Sequence, residues 1–473
     1  MQNDWAGQLL PHAGHRRAVI GDVRGLHPRR ALQTIMARGR GLGPIFETQV
    51  FRQKFVFASS AALCAELCDE KRFVKALPPA LVALREFAGD GLFTAYNDET
   101  NWRIAHDLLL PAFAKPAMQR YHAIMLEAVN ELFAVLPEDR PVDVASYMTK
   151  LTMETIARAA FSHDFGSFTQ AETHPFVPAM VTALESGRRL GSLSGMPGAG
   201  LPRRRIRRRN ADQLTYIDTM LDDLIGARRA ALAAGDPGPS DLLRIMLEQA
   251  HPETGEQLDD TAIRHQILTF LVAGHETTSG ALSLALYFLS AHPEVLAAAQ
   301  AETDELLGTD PDAQPTYDQV PRFRYLRRVL DETLRLWPTA PAFARSPRQA
   351  TTLAGYPMRP QDWVIVLIPA VHRDPEAWGE DAEEFDPDRF LPERSRGRPA
   401  HSYKPFGTGE RACIGRQFAL HEAVLVLARL LHRYDLVGDP AYTLRVTERL
   451  TLMPEGFELQ LRPRVRVPAA GPH

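Results

Sequence analysis

Cysteine is nearly absent from this chain, with 3 residues in 473. So few exclude a disulfide scaffold, and an odd, low number fits a reducing compartment, so a cytoplasmic location is expected. An apolar leader is lacking too. The opening residues, MQNDWAGQLLPHAGHRRAV, turn polar early and hold no apolar segment of signal-peptide length. There is no excess of positive charge: the formal net charge is −4, and a nucleic-acid partner is not expected. No internal repeat or long low-complexity linker divides the sequence, so residues 1–473 are expected to form a single unit. One apolar stretch, ILTFLVAGHETTSGALSLALYFLSA, has the length of a membrane span. His275, Glu276, Thr277 and Thr278 interrupt its middle, where polar groups are expensive in lipid. The expectation is a core helix, not a transmembrane anchor.

What is present reads mostly as helix. Residues 101–113, 142–161, 213–233 and 260–291 carry helix formers with apolar residues spaced by three and four. The last of these opens on Asp259-Asp260, good N-cap residues, and is followed by Pro293, which cannot continue it. Strand candidates are few: 43–57, 362–368, and a late strand in which Phe457, Leu459 and Leu461 alternate. The expected fold class is mainly α with small β-sheets near the ends (α+β). Cys64 and Cys68, four apart, share a helix face and read as small buried hydrophobes. The most biased stretch is GMPGAGLPRRRIRRRN, residues 195–210. It is expected to be a solvated loop and helix start; its sharper reading is contact with a membrane surface or an acidic ligand.

The third cysteine stands apart. Cys413 lies in FGTGERACIG, residues 406–415, ahead of the helix pattern RQFALHEAVLVLARLL. A thiolate is a soft ligand suited to iron. Gly407, Gly409 and Gly415 remove side-chain bulk, so backbone can approach a flat cofactor and point N–H groups at the sulfur. A sulfur at a helix N-terminus also has its anionic form favoured.

FGTGERACIG fits the pattern FxxGxRxCxG at Phe406, Gly409, Arg411, Cys413 and Gly415. In this it resembles the haem-binding signature of the cytochrome P450 family. The resemblance implies a single haem-thiolate domain, with haem b lying between a long central helix and the cysteine-loop helix and Cys413 as axial ligand of the iron. Three further stretches resemble the family in the same order. AGHETT, residues 273–278, resembles the oxygen-side helix, where Ala273 and Gly274 leave room for a cofactor plane. There Thr277 and Glu276 are implied as the catalytic acid–alcohol pair that handles protons. Glu332 and Arg335 in ETLR, with Arg389 in FDPDRF, resemble the family's buried Glu–Arg–Arg network, a structural role. NWRIAH places Trp102 and His106 four apart, as in the family's propionate-binding helix, with His106 where arginine is frequent. Arg411 is implied as a propionate ligand, Arg345 and His372 as additions to the cofactor site, and Phe406, Gly407, Gly415 and Ala273 as the wall against the ring.

Within the family the likeness is greatest to bacterial fatty-acid hydroxylases whose haem domain is fused to a reductase: AGDGLF, LRLWPTAPAF, KPFGTGERACIG and LMPEGFEL all look like that group. Phe93, Ala273, Ala340 and Phe343 are then implied as substrate-lining. The implied activity is insertion of one atom of O2 into a C–H bond of a lipophilic substrate, such as a long-chain fatty acid. Electrons are expected from a separate ferredoxin or flavodoxin with its NAD(P)H reductase, because no flavin-binding segment follows within 473 residues. Arg394, Arg396, Arg398 and Lys404, ahead of the cysteine, are expected to form a basic patch steering that donor. Two alternatives use the same haem-thiolate ligation: a hydroxylase or epoxidase of terpenoids, polyketides or other secondary metabolites, and a peroxide-driven enzyme. The first is motivated by the first sheet. In VFRQKFVF the positions that hold a fatty carboxylate in the relatives carry Gln53 and Phe57, while Arg52 and Lys54 are neighbours on alternate sides.

Overall fold

Helix Asp260–Ala291 sets the frame. It starts where the Asp259 carboxylate accepts a hydrogen bond from Ala262 N and stops one residue before Pro293. The computed structural model describes residues 9–465, apart from 15, 28, 171–173 and 237. The opening residues 1–8, read above as free of a secretory signal, lie outside that range. Apolar residues on every side of the central helix are buried, so it runs through the core rather than over it. Around it pack helices Val144–Phe161, Gly200–Ala233, Arg324–Leu336 and Arg416–Arg433. Among the described residues no single helix is long and apolar enough to cross a membrane. The central helix together with Pro293–Leu307 passes by length and composition alone, but the two are bent by 112° and the first is a core element.

The sheets are small, and the main one has five strands. Its order is Ile45–Val50, Gln53–Ala58, Val364–Leu367, Ala342–Pro347, Phe73–Lys75. The expected strand 43–57 is therefore a hairpin, turning at Phe51 and Arg52 with Val50 paired to Gln53. Antiparallel register sets Lys75 opposite Arg345, bringing two cations to one edge. The late strand is Glu458–Pro463, which joins Tyr434–Gly438 and Val142–Asp143. Strand Val142–Asp143 takes the first two residues of the expected helix 142–161, and Asp143 then caps helix Val144–Phe161 by accepting from Ser146 N. Helix 101–113 is observed as Thr100–Leu109 continued by a tighter turn, Leu110–Phe113, where Pro111 lacks a donor.

The stretch 195–210 divides as expected into a loop and a helix start, with the arginines of 203–209 in the first part of helix Gly200–Ala233. Pro202 is tolerated in a first turn and arginine is a good helix former. Cys64 and Cys68 lie at helix Ala61–Leu67 and its C-cap, and both are buried.

Candidate functional site

The cysteine loop is held open by its backbone. Gly407 and Gly409 sit at φ of 68° and 70°, values that side-chain-bearing residues rarely adopt. A Cβ on Gly409 would lie 1.8 Å from a carboxylate oxygen of Glu70, the same group that accepts from Glu410 N at 3.0 Å. Cys413 N donates to Phe406 O at 2.9 Å, closing the loop. Helix Arg416–Arg433 follows, with Gly415 as its N-cap. Of the three free cysteines only Cys413 is exposed, yet burial pushes its thiol pKa up, the Gly415 N–H pulling the other way.

Behind the loop the buried charges of Glu332 and Arg335 are fully matched. Arg335 Nε and Nη2 donate to the two oxygens of Glu332 at 2.6 and 2.8 Å, and its remaining N–H groups reach the carbonyls of His372, Ala382 and Glu384. Arg389 Nε approaches Glu332 at 3.4 Å, and its guanidinium pairs with Asp381. His372 is wholly buried. Its Nδ1 meets Arg335 O at 3.1 Å and its Nε2 accepts from Lys404 N at 2.8 Å. Burial pushes its pKa down to about 3, so it is neutral. Both ring nitrogens are taken, so His372, expected among the cofactor-binding residues, instead ties the cysteine loop to the network.

On the other side of the loop the cations are not matched. The Arg411 guanidinium lies 3.6 Å from the Trp102 ring centroid, and Nη2 donates to Tyr96 O at 3.1 Å. Arg411 Nη1 and Arg345 Nε are buried without a hydrogen-bond partner. Burial pushes the pKa of Arg411 down to about 10 and lowers that of Arg345. Lys75 is pushed to about 7 by burial first, then by repulsion from Arg411 and Arg345. Its ammonium donates to the carbonyls of Phe93 and Ala95. Lys75, Arg345, Arg411 and Trp102 line one cleft of about 480 Å³, whose wall also carries Glu70, Asp98, Glu99 and Glu410. His106 stacks on Trp102 at 4.9 Å, with Nδ1 on Asp107. Like charges gathered under cover, with N–H groups to spare, ask for an anion.

The central helix contributes small, accessible residues. Ala273 is exposed although Leu271, Val272, His275 and Glu276 around it are buried. The Thr277 hydroxyl donates to Ala273 O at 2.6 Å, and Thr152 Oγ1 donates to His275 O at 2.9 Å, so two carbonyls of this turn take side-chain bonds. Glu276 turns away from this face and accepts from Thr451 Oγ1 at 3.2 Å. Thr451 belongs to the turn between strands Val446–Glu448 and Leu452–Pro454, which presses so closely that a Cβ on Gly280 would lie 2.7 Å from Leu452 O.

Phe93 is 43% exposed, on a loop pinned to the central helix. His265 Nδ1 meets Asp90 at 2.7 Å, Asn101 donates to Asp90 at 2.7 Å, and Leu92 N donates to Gln266 at 2.9 Å. The His265 contact leads the groups that hold the Asp90 carboxyl down at about 2. Ala340 is exposed, and Phe343 is half-buried beneath the Arg345 guanidinium, 5.1 Å from its ring. Sequence reasoning missed Lys75 and the Asp90–His265 pin. The pin had a signal: His265 lies eight residues, about two turns, before Ala273 and so shares its helix face.

The basic patch at 394–404 is partly engaged within the fold: Arg394 pairs with Asp386 at 2.6 Å, and Arg398 lies 4.0 Å over the Trp378 ring and donates to Arg389 O, while Arg396 is exposed with no ion pair among the described residues. On the first sheet Gln53 and Phe57 are buried, Phe57 stacking on Phe46, while Lys54 reaches Glu47 at 3.8 Å and Arg52 is exposed at the hairpin turn.

The arrangement passes a test for a flat macrocycle with an acidic edge. It offers one accessible soft sulfur in a glycine cradle, partnerless buried guanidinium N–H groups beside it, and an exposed alanine, Ala273, on the central helix, whose neighbour Gly274 packs against Ile156 instead. The family described as Cytochrome P450 matches residues 11–461. A bifunctional cytochrome P450/NADPH–P450 reductase of Bacillus cereus is 44% identical over 427 residues, which is 89% of this chain and 39% of that protein. Bifunctional cytochrome P450/NADPH–P450 reductase 2 of Bacillus subtilis is 44% identical over 427 residues, 89% of this chain and 40% of the relative. A self-sufficient cytochrome P450 monooxygenase of Aspergillus niger is 39% identical over 460 residues, covering 96% of this chain and 41% of the relative. The chain thus spans about two-fifths of the length of these relatives.

Proposed function

This chain belongs to the cytochrome P450 family, and on that premise we propose that it is a haem-dependent monooxygenase placing one atom of O2 into a C–H bond of a long-chain fatty acid or a lipophilic substrate of similar shape. The observation that carries the reading is the meeting of two buried guanidinium nitrogens that have no hydrogen-bond partner among the described residues, Arg345 Nε and Arg411 Nη1, with the loop that presents the one exposed cysteine.

Haem b, when bound, supplies the O–O cleavage and C–H oxidation that side chains cannot, and a thiolate ligand favours heterolysis. The chain's own residues do the rest. Cys413 provides the sulfur, whose electron donation the Gly415 N–H moderates. Arg411, Arg345 and Lys75 receive the two carboxylates, with Trp102 and His106 forming the wall beside Arg411. Phe406, Gly407, Gly415 and Ala273 leave space for the ring. Thr277 keeps its hydroxyl proton on Ala273 O; one rotation about χ1 releases that donor toward the oxygen side. Glu276 would replace that proton only after giving up its bond to Thr451 and turning to the Thr277 side of the helix. Phe93, Ala340 and Phe343 shape the substrate cavity and exclude water.

As electron donor the reading takes a ferredoxin or flavodoxin with its NAD(P)H reductase; in the bacterial relatives the printed names put a reductase on the same chain. Reconstitution of the 473-residue chain with such a pair and NAD(P)H tests this, and absence of product beside turnover driven by peroxide would favour the peroxide-dependent alternative. A second substrate reading, a neutral polycyclic metabolite, is favoured by the first sheet, where Gln53 and Phe57 are buried and Lys54 is engaged with Glu47. Spectral titration of the haem-loaded protein separates the two. Fatty acids are expected to produce the low-to-high-spin shift; a shift produced only by neutral polycyclic compounds would move the assignment to the second class.

A further inference from the structure

Six of the seven residues 203–209 are arginine, and all six lie in the first ten residues of helix Gly200–Ala233. This is electrostatically the wrong place for them. A helix N-terminus carries roughly half a positive charge and is stabilised by acidic residues, not basic ones. Here the first turn has no acidic residue and no side chain caps it. Arg207 alone is paired, its Nε and Nη2 on the two oxygens of Glu86 at 2.9 and 2.7 Å. Arg203, Arg204, Arg205, Arg208 and Arg209 form no ion pair among the described residues, and all but Arg203 are exposed. A local rule broken this consistently, with Glu86 alone among the described residues pairing with any of the six, marks a surface whose complement lies outside it.

That surface also has apolar depth. Leu201, directly before the arginines, is 80% exposed, and Val82 is 41% exposed on helix Pro79–Ala88, the helix that carries Glu86. Helix Phe176–Ser192 closes against helix Pro79–Ala88 so tightly that a Cβ on Gly191 would lie 2.5 Å from Ala80 Cα. The loop after it approaches the first-sheet hairpin at Gln53 and Arg52. Residues 195–209 contain no aromatic side chain on which a nucleic-acid base could stack. An exposed leucine within an arginine field suits an interface that is anionic at its face and apolar beneath it.

We infer that the start of helix Gly200–Ala233 docks the protein on an anionic lipid bilayer, the arginines on the lipid phosphates and Leu201 in the acyl boundary. The inference goes beyond the catalytic reading and does not depend on it, since no residue of the haem site takes part.

Flotation of the full-length, haem-loaded protein with phosphatidylcholine vesicles, with and without phosphatidylglycerol, tests it. Binding is expected only with phosphatidylglycerol and is expected to be lost at high salt. Each surface arginine contributes about fivefold, so Arg204→Gln, Arg205→Gln, Arg208→Gln and Arg209→Gln combined lower the affinity at least about a hundred-fold. Leu201→Ser lowers it about tenfold. The quadruple variant removes only exposed charge from a helix N-terminus, so its Tm is expected to be equal or higher, which separates lost docking from lost folding. Hydrogen exchange with vesicles should show new protection at 196–209. The inference is overturned by equal binding of the quadruple variant, by equal binding to pure phosphatidylcholine, by protection confined to other segments, or by retention on a soluble polyanion such as heparin without any binding to phosphatidylglycerol vesicles.

Discussion

Two groups of buried arginines flank the cysteine loop, and they differ in one respect. In the Glu332–Arg335–Arg389 group every N–H of Arg335 that can donate finds an oxygen at 2.6 to 2.9 Å. In the Lys75–Arg345–Arg411 group the cations repel one another and two guanidinium nitrogens have no partner. The first group is closed by the polypeptide itself: both of its arginines sit on carboxylates, Arg335 with every donor used and Arg389 with only its Nε left without a hydrogen bond. The second is finished only by a ligand, so it stores a cost in the apoprotein that an anionic edge relieves. A single partnerless guanidinium nitrogen therefore does not identify a site, since Arg328 and Arg429 have one too; three mutually repelling cations with no ion pair among the described residues do.

The largest effect should come from breaking the finished group. Arg335→Ala leaves Glu332 ionised and buried, a loss of about 3–5 kcal/mol, and denaturant unfolding should show it in the apoprotein as well as the haem-loaded form. The unfinished group should behave oppositely. Arg345→Gln and Arg411→Gln are expected to leave apoprotein stability unchanged or raised, while haem is lost to an acceptor protein about tenfold faster or more per substitution, the usual worth of a charge-assisted hydrogen bond. If both groups lowered apoprotein stability alike, the contrast would be wrong.

Lys75 gives the contrast a pH dependence. Its folded pKa of about 7 lies below the ordinary value of 10.5, so between those limits the unfolded chain binds more protons and apoprotein stability rises with pH. Lys75→Met should remove that rise, and haem loading should shrink it, because two carboxylates restore the ammonium.

A smaller effect comes from a third kind of buried charge. Glu422, in helix Arg416–Arg433, is fully buried with Oε1 unpartnered, and burial pushes its pKa up to about 8, the Thr155 hydroxyl opposing. No cation pairs with it among the described residues; it is satisfied by staying protonated. Between the ordinary 4.5 and about 8 the folded state holds the extra proton, so stability falls as pH rises, by up to roughly 1.4 kcal/mol per pH unit. Glu422→Gln should flatten that slope in pH-dependent melting.

How much of this was legible depended on whether a function resides in neighbouring residues or in folded proximity. FGTGERACIG and AGHETT carry their chemistry within ten residues, and helix 260–291 appears with the bounds its caps announce. Glu332 and Arg335 were readable as a pair at i, i+3. Lys75 was not, because it meets Arg345 only through strand pairing across 270 residues of chain. His372 was misplaced for a related reason: its partners, Arg335 O and Lys404 N, are backbone atoms that no side-chain pattern reveals. The arginines at 394 and 398 looked free because Asp386 and Trp378 are brought to them only by the folded loop.

The account depends most on the sulfur of Cys413. The ferrous carbonyl spectrum of the haem-loaded protein, compared with that of Cys413→His, tests it most directly. The account predicts the red-shifted Soret band of a thiolate ligand in the parent protein and its replacement by an imidazole-type band in the variant, with Tm little changed. A thiolate-type band that survives in Cys413→His would place another ligand on the iron and contradict it.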